Sequence, residues 1–363
     1  MNYPIRILCV FSTLDRGGAE SMCMNIYRHI DREKVQFDFV KHTPNKGAFE
    51  NEIIELGGKI YEAPEYKMYN HISYCKWWKH HLIEHPEHII VHGHYFTISY
   101  EYLKVAKHYG RITIAHSHAK HLDSFLKNQL IKGVPKVSDY RFACSYDAGV
   151  WLFKDYTFMI LKNAIDTNLY RFNQLIRDSY RSQLKLDDKF VLGTVANFHF
   201  VKNPFGMIDL FKRVHQKNEN AVLVWVGEGG LRDDIQNKIE EERLQECIYL
   251  LGSRDDVPQL LQAMDAFALP SFSEGLGLVL IEAQAAGLPT YCADTIPTDV
   301  DITPLCKHLP LDQLDTWANQ IISDYKGARE NTENLIMEQG YDIRDTSKWV
   351  QEFYLKLFNN KNQ

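Results

Sequence analysis

The stretch Ser273-Glu274-Gly275-Leu276-Gly277-Leu278-Val279-Leu280-Ile281-Glu282-Ala283 joins two carboxylates, two glycines and an apolar run. It follows an apolar segment ending at Leu269-Pro270 and opens a helical pattern. Gly275 and Gly277 let backbone amides approach a ligand closely. The free N–H groups and positive dipole end of a helix starting there suit a phosphate. Glu274 in the loop and Glu282 along the helix could then accept hydrogen bonds from sugar hydroxyls. For two glutamates alone, the plainer reading is a residue favouring the helix dipole and a solvated side chain.

Other residue groups have the donor types for metal or nucleotide chemistry. His92-x-His94 and His116-x-His118 each place two imidazoles on one face of an extended chain. Zinc hydrolases add carboxylates to such pairs, but neither pair has a third His or an Asp at ligand spacing. Two strand ends lining one cleft is the simpler reading. Asp233-Asp234 and Asp255-Asp256 are adjacent, and no Asp-x-Asp is expected at a strand end, where a divalent ion would bridge phosphates. Gly227, Gly229 and Gly230 lack the full dinucleotide-binding pattern. Glu240 to Glu242 reads as a solvated helix face. Trp77-Trp78, with Lys76, Lys79, His80 and His81, suits either a membrane-facing edge or a packed amphipathic helix, the second preferred.

Positioning these groups takes two rounds of strand–helix alternation. Strands are expected over 5–11, 37–40, 59–62, 88–92, 112–115, 140–144 and 158–161, with helices over 19–30, 50–56, 73–85 and 100–109. The pattern restarts with strands over 190–195, 221–226, 248–250, 266–269 and 290–292, and helices over 204–215, 231–243, 257–264 and 277–286. This is α/β: two doubly wound, Rossmann-like domains, whose ligand belongs at the carboxyl ends of the strands. The domains divide as 1–165 and 166–343, with 166–188 as a hinge of weak period, and an amphipathic helix follows in 344–363.

Composition agrees with that architecture. A chain of 363 residues, 45% apolar and 24% charged, is an ordinary globular one. It has no apolar run long enough to span a membrane, and 5–11 is too short for a secretion signal. Seven scattered cysteines without CxxC spacing argue against a disulfide framework and a structural zinc site, and fit a reducing cytoplasm. Residues 1–165 carry 21 basic and 17 acidic side chains and 13 of the 16 histidines; the remainder carries 20 and 30. The first half could therefore face something anionic.

In sequence context, Glu274–x7–Glu282 resembles the EX7E motif of retaining glycosyltransferases of the family-4 type. Further segments match in the same order: Asp15-Arg16-Gly17-Gly18-Ala19-Glu20 after the first strand, Ala115-His116-Ser117-His118 at a strand end, Asn163-Ala164-Ile165-Asp166, and Val226-Gly227-Glu228-Gly229. Asp294-Thr295-Ile296-Pro297 resembles a segment of the bacterial exopolysaccharide and capsule subgroup. The resemblance spans nearly the whole chain. It implies a GT-B fold, two Rossmann-like domains facing a central cleft, with the C-terminal helix crossing back to the first. It also implies an acceptor-binding first domain and a nucleotide-sugar-binding second one.

By the same resemblance, Glu274 contacts the donor sugar, Glu282 the nucleotide ribose and Lys202 the diphosphate. The Arg usual a few residues before that Lys is Asn197 here, so Arg254 or a histidine is a candidate replacement cation. The expected catalytic set is His116, His118, Glu274 and Lys202. The expected substrate-binding set is Gly17, Gly18, Asn197, Lys202, Glu274, Gly275, Leu276, Gly277, Glu282 and Arg254. No metal and no cofactor are expected.

The implied reaction moves a sugar from a UDP-sugar, with retention, to a saccharide or undecaprenyl-diphosphate-linked acceptor in cell-surface polysaccharide biosynthesis. The implied location is cytoplasmic, with peripheral contact at the inner membrane face. Nucleic acid is not an expected partner. The rival readings are a GT-B sugar-nucleotide epimerase and a catalytically weak nucleotide-sugar-binding protein.

Overall fold

The structure, a computed structural model, describes residues 4–118 and 125–361. Two compact units divide the chain. One takes Met1–Ile165 together with Gly340–Gln363, the other Asp166–Gln339.

The first unit is built on seven strands: β1 (Ile5–Val10), β2 (Val35–Lys41), β3 (Ile60–Glu62), β4 (Ile90–Gly93), β5 (Ile112–Ser117), β6 (Tyr140–Ala143) and β7 (Met159–Ile160). All pair in parallel, in the order β3-β2-β1-β4-β5-β6-β7. Both faces of such a sheet are covered, so its strands read as almost unbroken apolar runs. Alternation along β1 sends Ile5, Ile7 and Cys9 to one face and Leu8 and Val10 to the other. The first face packs Phe37, Phe39, Ile90 and Ile114 against the helices Gly18–His29 and Ile343–Lys361. The second packs Val91 and Ala115 against Tyr74 and Trp78 of the helix His71–Glu84, and Tyr102 and Leu103 of the helix Ser99–His108. The Trp77-Trp78 pair is thus resolved as packing, since Trp78 is fully buried and Trp77 stacks on His81.

The last helix returns to this unit, as expected. Val350, Tyr354 and Leu357 are buried in the first face, and Gln351 accepts the Asp31 N–H at 2.8 Å. A parallel bridge pairs Ile165 with Asp342 where the chain leaves and re-enters.

The second unit carries six parallel strands: β8 (Phe190–Val195), β9 (Ala221–Val226), β10 (Ile248–Leu250), β11 (Ala266–Leu269), β12 (Thr290–Ala293) and β13 (Cys306–Leu309). Their order is β10-β9-β8-β11-β12-β13. In each sheet the chain winds one way from its first strand and then reverses. The reversal falls between β1 and β4 in one unit and between β8 and β11 in the other. There the loops at the carboxyl ends part in opposite directions and leave room for a ligand.

The weakly periodic stretch 166–188 contains the helices Thr167–Tyr170 and Gln174–Leu184. The second docks through arginines rather than an apolar stripe. Arg177 and Arg181 both pair with Asp265, and they donate to the carbonyls of Gln262, Ala263 and Met264.

Candidate active site

The β8/β11 switch point brings Lys202 and Glu274 together. Lys202 ends a single 3-10 turn, Phe200–Lys202, beyond β8. Glu274 lies in the loop beyond β11. The two loops are joined by the Phe272 N–H, which donates to Val201 O at 2.8 Å. Lys202 Nζ lies 2.6 and 2.7 Å from the two carboxylate oxygens of Glu274. The lysine side chain is 29% exposed and the glutamate 8%, so the pair is only partly screened by water. Asn203, at φ +51°, then caps the helix Pro204–Lys217 by accepting the Gly206 N–H.

Gly277 sets the start of the next helix, Leu278–Ala285. Its φ of +84° is a left-handed conformation that glycine adopts freely. No side chain caps this helix start, so its first amides stay available to an anion. Leu276 is buried, which leaves only its backbone to serve a ligand, and Gly275 is half-buried. Glu282 lies further along the same helix, partly buried. Burial raises its carboxyl to about 7, against a smaller opposing effect from the Tyr170 hydroxyl bonded to it.

Asn197 is exposed just beyond β8, and its neighbours hold the turn after β9. Ala196 and Phe198 donate their N–H groups to Val226 O and Glu228 O, each at 2.9 Å. A Cβ on Gly227 would lie 2.0 Å from Ala196 O, and one on Gly229 2.5 Å from Phe198 O. These glycines are explained by the contact between two loops, without a ligand. Arg254 lies on a different loop. It follows β10, two strand spacings or roughly 10 Å from β8, and it grips both oxygens of Asp256 at 2.8 and 2.6 Å.

In the first unit, Gly17 caps the helix Gly18–His29, and Gly18 is exposed with nothing within 4 Å of where a Cβ would sit. Glu20 lies in the first turn of this helix, and burial raises its carboxyl to about 7. His116 and His118 at the end of β5 meet His92 and His94 at the end of β4. Ring centroids lie 4.0 Å apart for His116–His118 and 4.2 Å for His92–His94. His94 Nδ1 and His118 Nε2 are 3.0 Å apart, and His92 Nδ1 lies 2.6 Å from the Tyr354 hydroxyl. The two H-x-H pairs therefore form one stack. His94 was recognisable from the repeated pattern; Tyr354 and Tyr170 carry no local signal.

Nitrogens of His92, His94 and His116 lie within 4.8 Å of one another. Yet the His92 ring is stacked on both others, at 29° and 10°. Stacked rings point their nitrogens side by side rather than at a shared centre. The histidine excess also does not make a cationic face. His42, His81, His88, His92, His94 and His116 are buried. Burial lowers His42 to about 4 and His81, His92 and His118 to about 3, and pushes His94 and His116 well down. Positive charge lies instead on exposed lysines, among them Lys67, Lys76, Lys79 and Lys104, and Lys132 and Lys136. Of the basic 120–136 stretch, positions 120–124 lie outside the described residues. Among the described residues, no helix is long and apolar enough to cross a membrane.

Comparison with known proteins fits this geometry. Residues 176–302 match the family described as glycosyl transferases group 1. The putative glycosyltransferase EpsF of Bacillus subtilis is 30% identical over 361 residues, covering 93% of each chain. An Escherichia coli UDP-Gal:alpha-D-GlcNAc-diphosphoundecaprenol alpha-1,3-galactosyltransferase is 28% identical over 188 residues, 48% of this chain and 47% of its own. Among solved structures, Anabaena HepE in complex with UDP and glucose superposes with a TM-score of 0.79 at 18% identity, covering 97% of this chain and 100% of its own. That last likeness is one of fold, and it agrees with the GT-B class. With the EpsF match running along nearly the full length of both sequences, the chain belongs to the group 1 glycosyl transferases.

Proposed function

We propose that the chain transfers a sugar, with retention of configuration, from a UDP-sugar to a saccharide or a lipid-diphosphate-linked saccharide in cell-surface polysaccharide synthesis. The observation that carries this reading is the Lys202–Glu274 pair at the β8/β11 switch point, beside an uncapped helix start. Without a donor the two charges neutralise each other. A diphosphate carries more negative charge than one carboxylate and draws Lys202 to itself. Glu274 is then free to accept a hydrogen bond from the sugar. Glu282 accepts from the ribose.

As the bond from the anomeric carbon to the diphosphate breaks, Lys202 and the amides of the Leu278–Ala285 helix stabilise the growing charge. The acceptor oxygen attacks from the same face and passes its proton to the departing phosphate oxygen. With these groups in place the step needs no divalent metal. The complex of HepE with UDP and the UDP-galactose-dependent relative support the donor class.

The first unit takes the acceptor around Gly17, Gly18, His94 and His118. The exposed Lys67, Lys76, Lys79 and Lys104, near exposed Met68, Tyr69 and Ile72, suit an anionic membrane surface that presents such an acceptor. The test is nucleotide release from a panel of nucleotide sugars, with EDTA present during the assay and the product anomer read by NMR. Slow UDP release without acceptor, and a product of unchanged configuration, are expected. Inversion overturns retention, and activity regained only with magnesium or manganese overturns the metal-free step. An isomerised UDP-sugar favours the epimerase, and binding without turnover the binding protein.

A further inference from the structure

Strands β12 and β13 run parallel with Cys292 opposite His308, and Cys306 two residues before His308. Alternation and register place all three side chains on one face of the sheet. Their ligand atoms lie within 4.8 Å of one another. The two sulfurs are 3.9 Å apart. A disulfide requires about 2.05 Å. Two thiolates on one tetrahedral zinc, each at about 2.3 Å, stand about 3.8 Å apart. Asp301, from the connection between these strands, holds a ring nitrogen of His308 at 2.7 Å, the arrangement that orients a metal-bound imidazole.

We propose that Cys292, Cys306 and His308 bind a zinc-type divalent ion, with Asp301 orienting the histidine. Two soft sulfur donors exclude magnesium and calcium. Binding displaces the two thiol protons, and the ion's charge offsets the thiolates. Cysteine spacing alone does not reveal this site, because the donors meet across two strands.

The ion takes no part in sugar transfer. It staples edge strand β13 and the connection that precedes it. Gln284, on the helix that carries Glu282, binds that same connection: its amide donates to Val300 O at 2.8 Å and accepts from the Thr303 N–H and hydroxyl, both at 3.0 Å. The site therefore steadies the helix from behind.

The test is elemental analysis of the full chain purified in reducing buffer without chelator, followed by cobalt exchange. Stoichiometric zinc, and thiolate-to-cobalt charge-transfer absorption, are expected. Cys306→Ser and His308→Ala, both partly exposed positions, should each lose the ion while circular dichroism shows them folded. Prolonged chelation should lower the melting temperature of the natural chain and leave the variants unchanged. A protein that takes up neither metal overturns the proposal. So does zinc retained in both variants, which puts the ion elsewhere, or a Cys292–Cys306 disulfide found by mass under non-reducing conditions.

Discussion

At the β8/β11 switch point the side chains are charged and paired, Lys202 on Glu274, with Glu282 raised to about 7 nearby. Around the β1/β4 switch point they are buried, stacked imidazoles kept neutral by that burial. Both positions follow from the same winding of the chain, yet their electrostatics differ. The first can exchange partners with a charged ligand and can respond to pH. The second offers ring faces and N–H groups, so on the proposed acceptor role it would select by shape and hydrogen bonding. Similar topology thus supports two kinds of recognition, and substitutions should separate them.

The largest effect is expected from Lys202→Ala. Losing the cation beside the leaving diphosphate should cut turnover roughly a hundred- to a thousandfold. Single-turnover UDP release measures it, and near-normal turnover would remove the charged site from the reaction. Next comes a split between the glutamates. Glu282→Ala should weaken free UDP about ten- to a hundredfold in calorimetry, the value of a hydrogen bond to a charged group. Glu274→Ala should leave UDP affinity nearly intact and lower turnover. The opposite pattern swaps their roles.

Glu282 also predicts a pH signature. On the proposed role, a ribose hydroxyl donates to the ionised carboxylate, so donor affinity should rise as pH rises through about 7 and then level off. The limiting slope below that point is about tenfold per unit. Stability should move the other way. A folded value above the ordinary 4.5 contributes stability that is present below 4.5 and lost as pH rises through about 7. Melting of Glu282→Gln relative to the natural chain, followed across that window, reads this directly. A flat profile for both quantities would refute the assignment.

A smaller effect is expected in the neutral site. His118→Asn should raise the Michaelis constant for acceptor about two- to tenfold, as for one neutral hydrogen bond. Donor hydrolysis should stay unchanged; a loss of hydrolysis equal to that of Lys202→Ala would erase the distinction between the two sites. The smallest should come from Lys76→Gln with Lys79→Gln. Binding to anionic vesicles should weaken modestly and fall further with salt, while equal binding to neutral vesicles would count against an electrostatic dock.

The sheets were legible because buried parallel strands such as β1, β8 and β9 are nearly continuous apolar runs. Strand β13, Cys-Lys-His-Leu, lies at an edge, is only half-buried and went unseen. The helix Gln174–Leu184 was missed because its buried residue is Arg181, bound to backbone carbonyls, and a hydrophobic period cannot register that. In the candidate site, Lys202 and Glu274 were named from sequence. Their direct contact depends on β8 and β11 being neighbours, which strand order decides. The histidine surplus misled in the other direction, because residue counts do not reveal burial.

The first unit is also discontinuous. Its opening strands need Val350, Tyr354 and Leu357 of the closing helix to cover Phe37 and its neighbours, and His92 needs the Tyr354 hydroxyl. On a ribosome these residues emerge after the whole Asp166–Gln339 unit has been made. The unit begun first is therefore completed last, and until then it must hold an open apolar face. A chaperone engaged on the nascent chain would find its substrate on the sheet face that carries Phe37, Phe39 and Ile114.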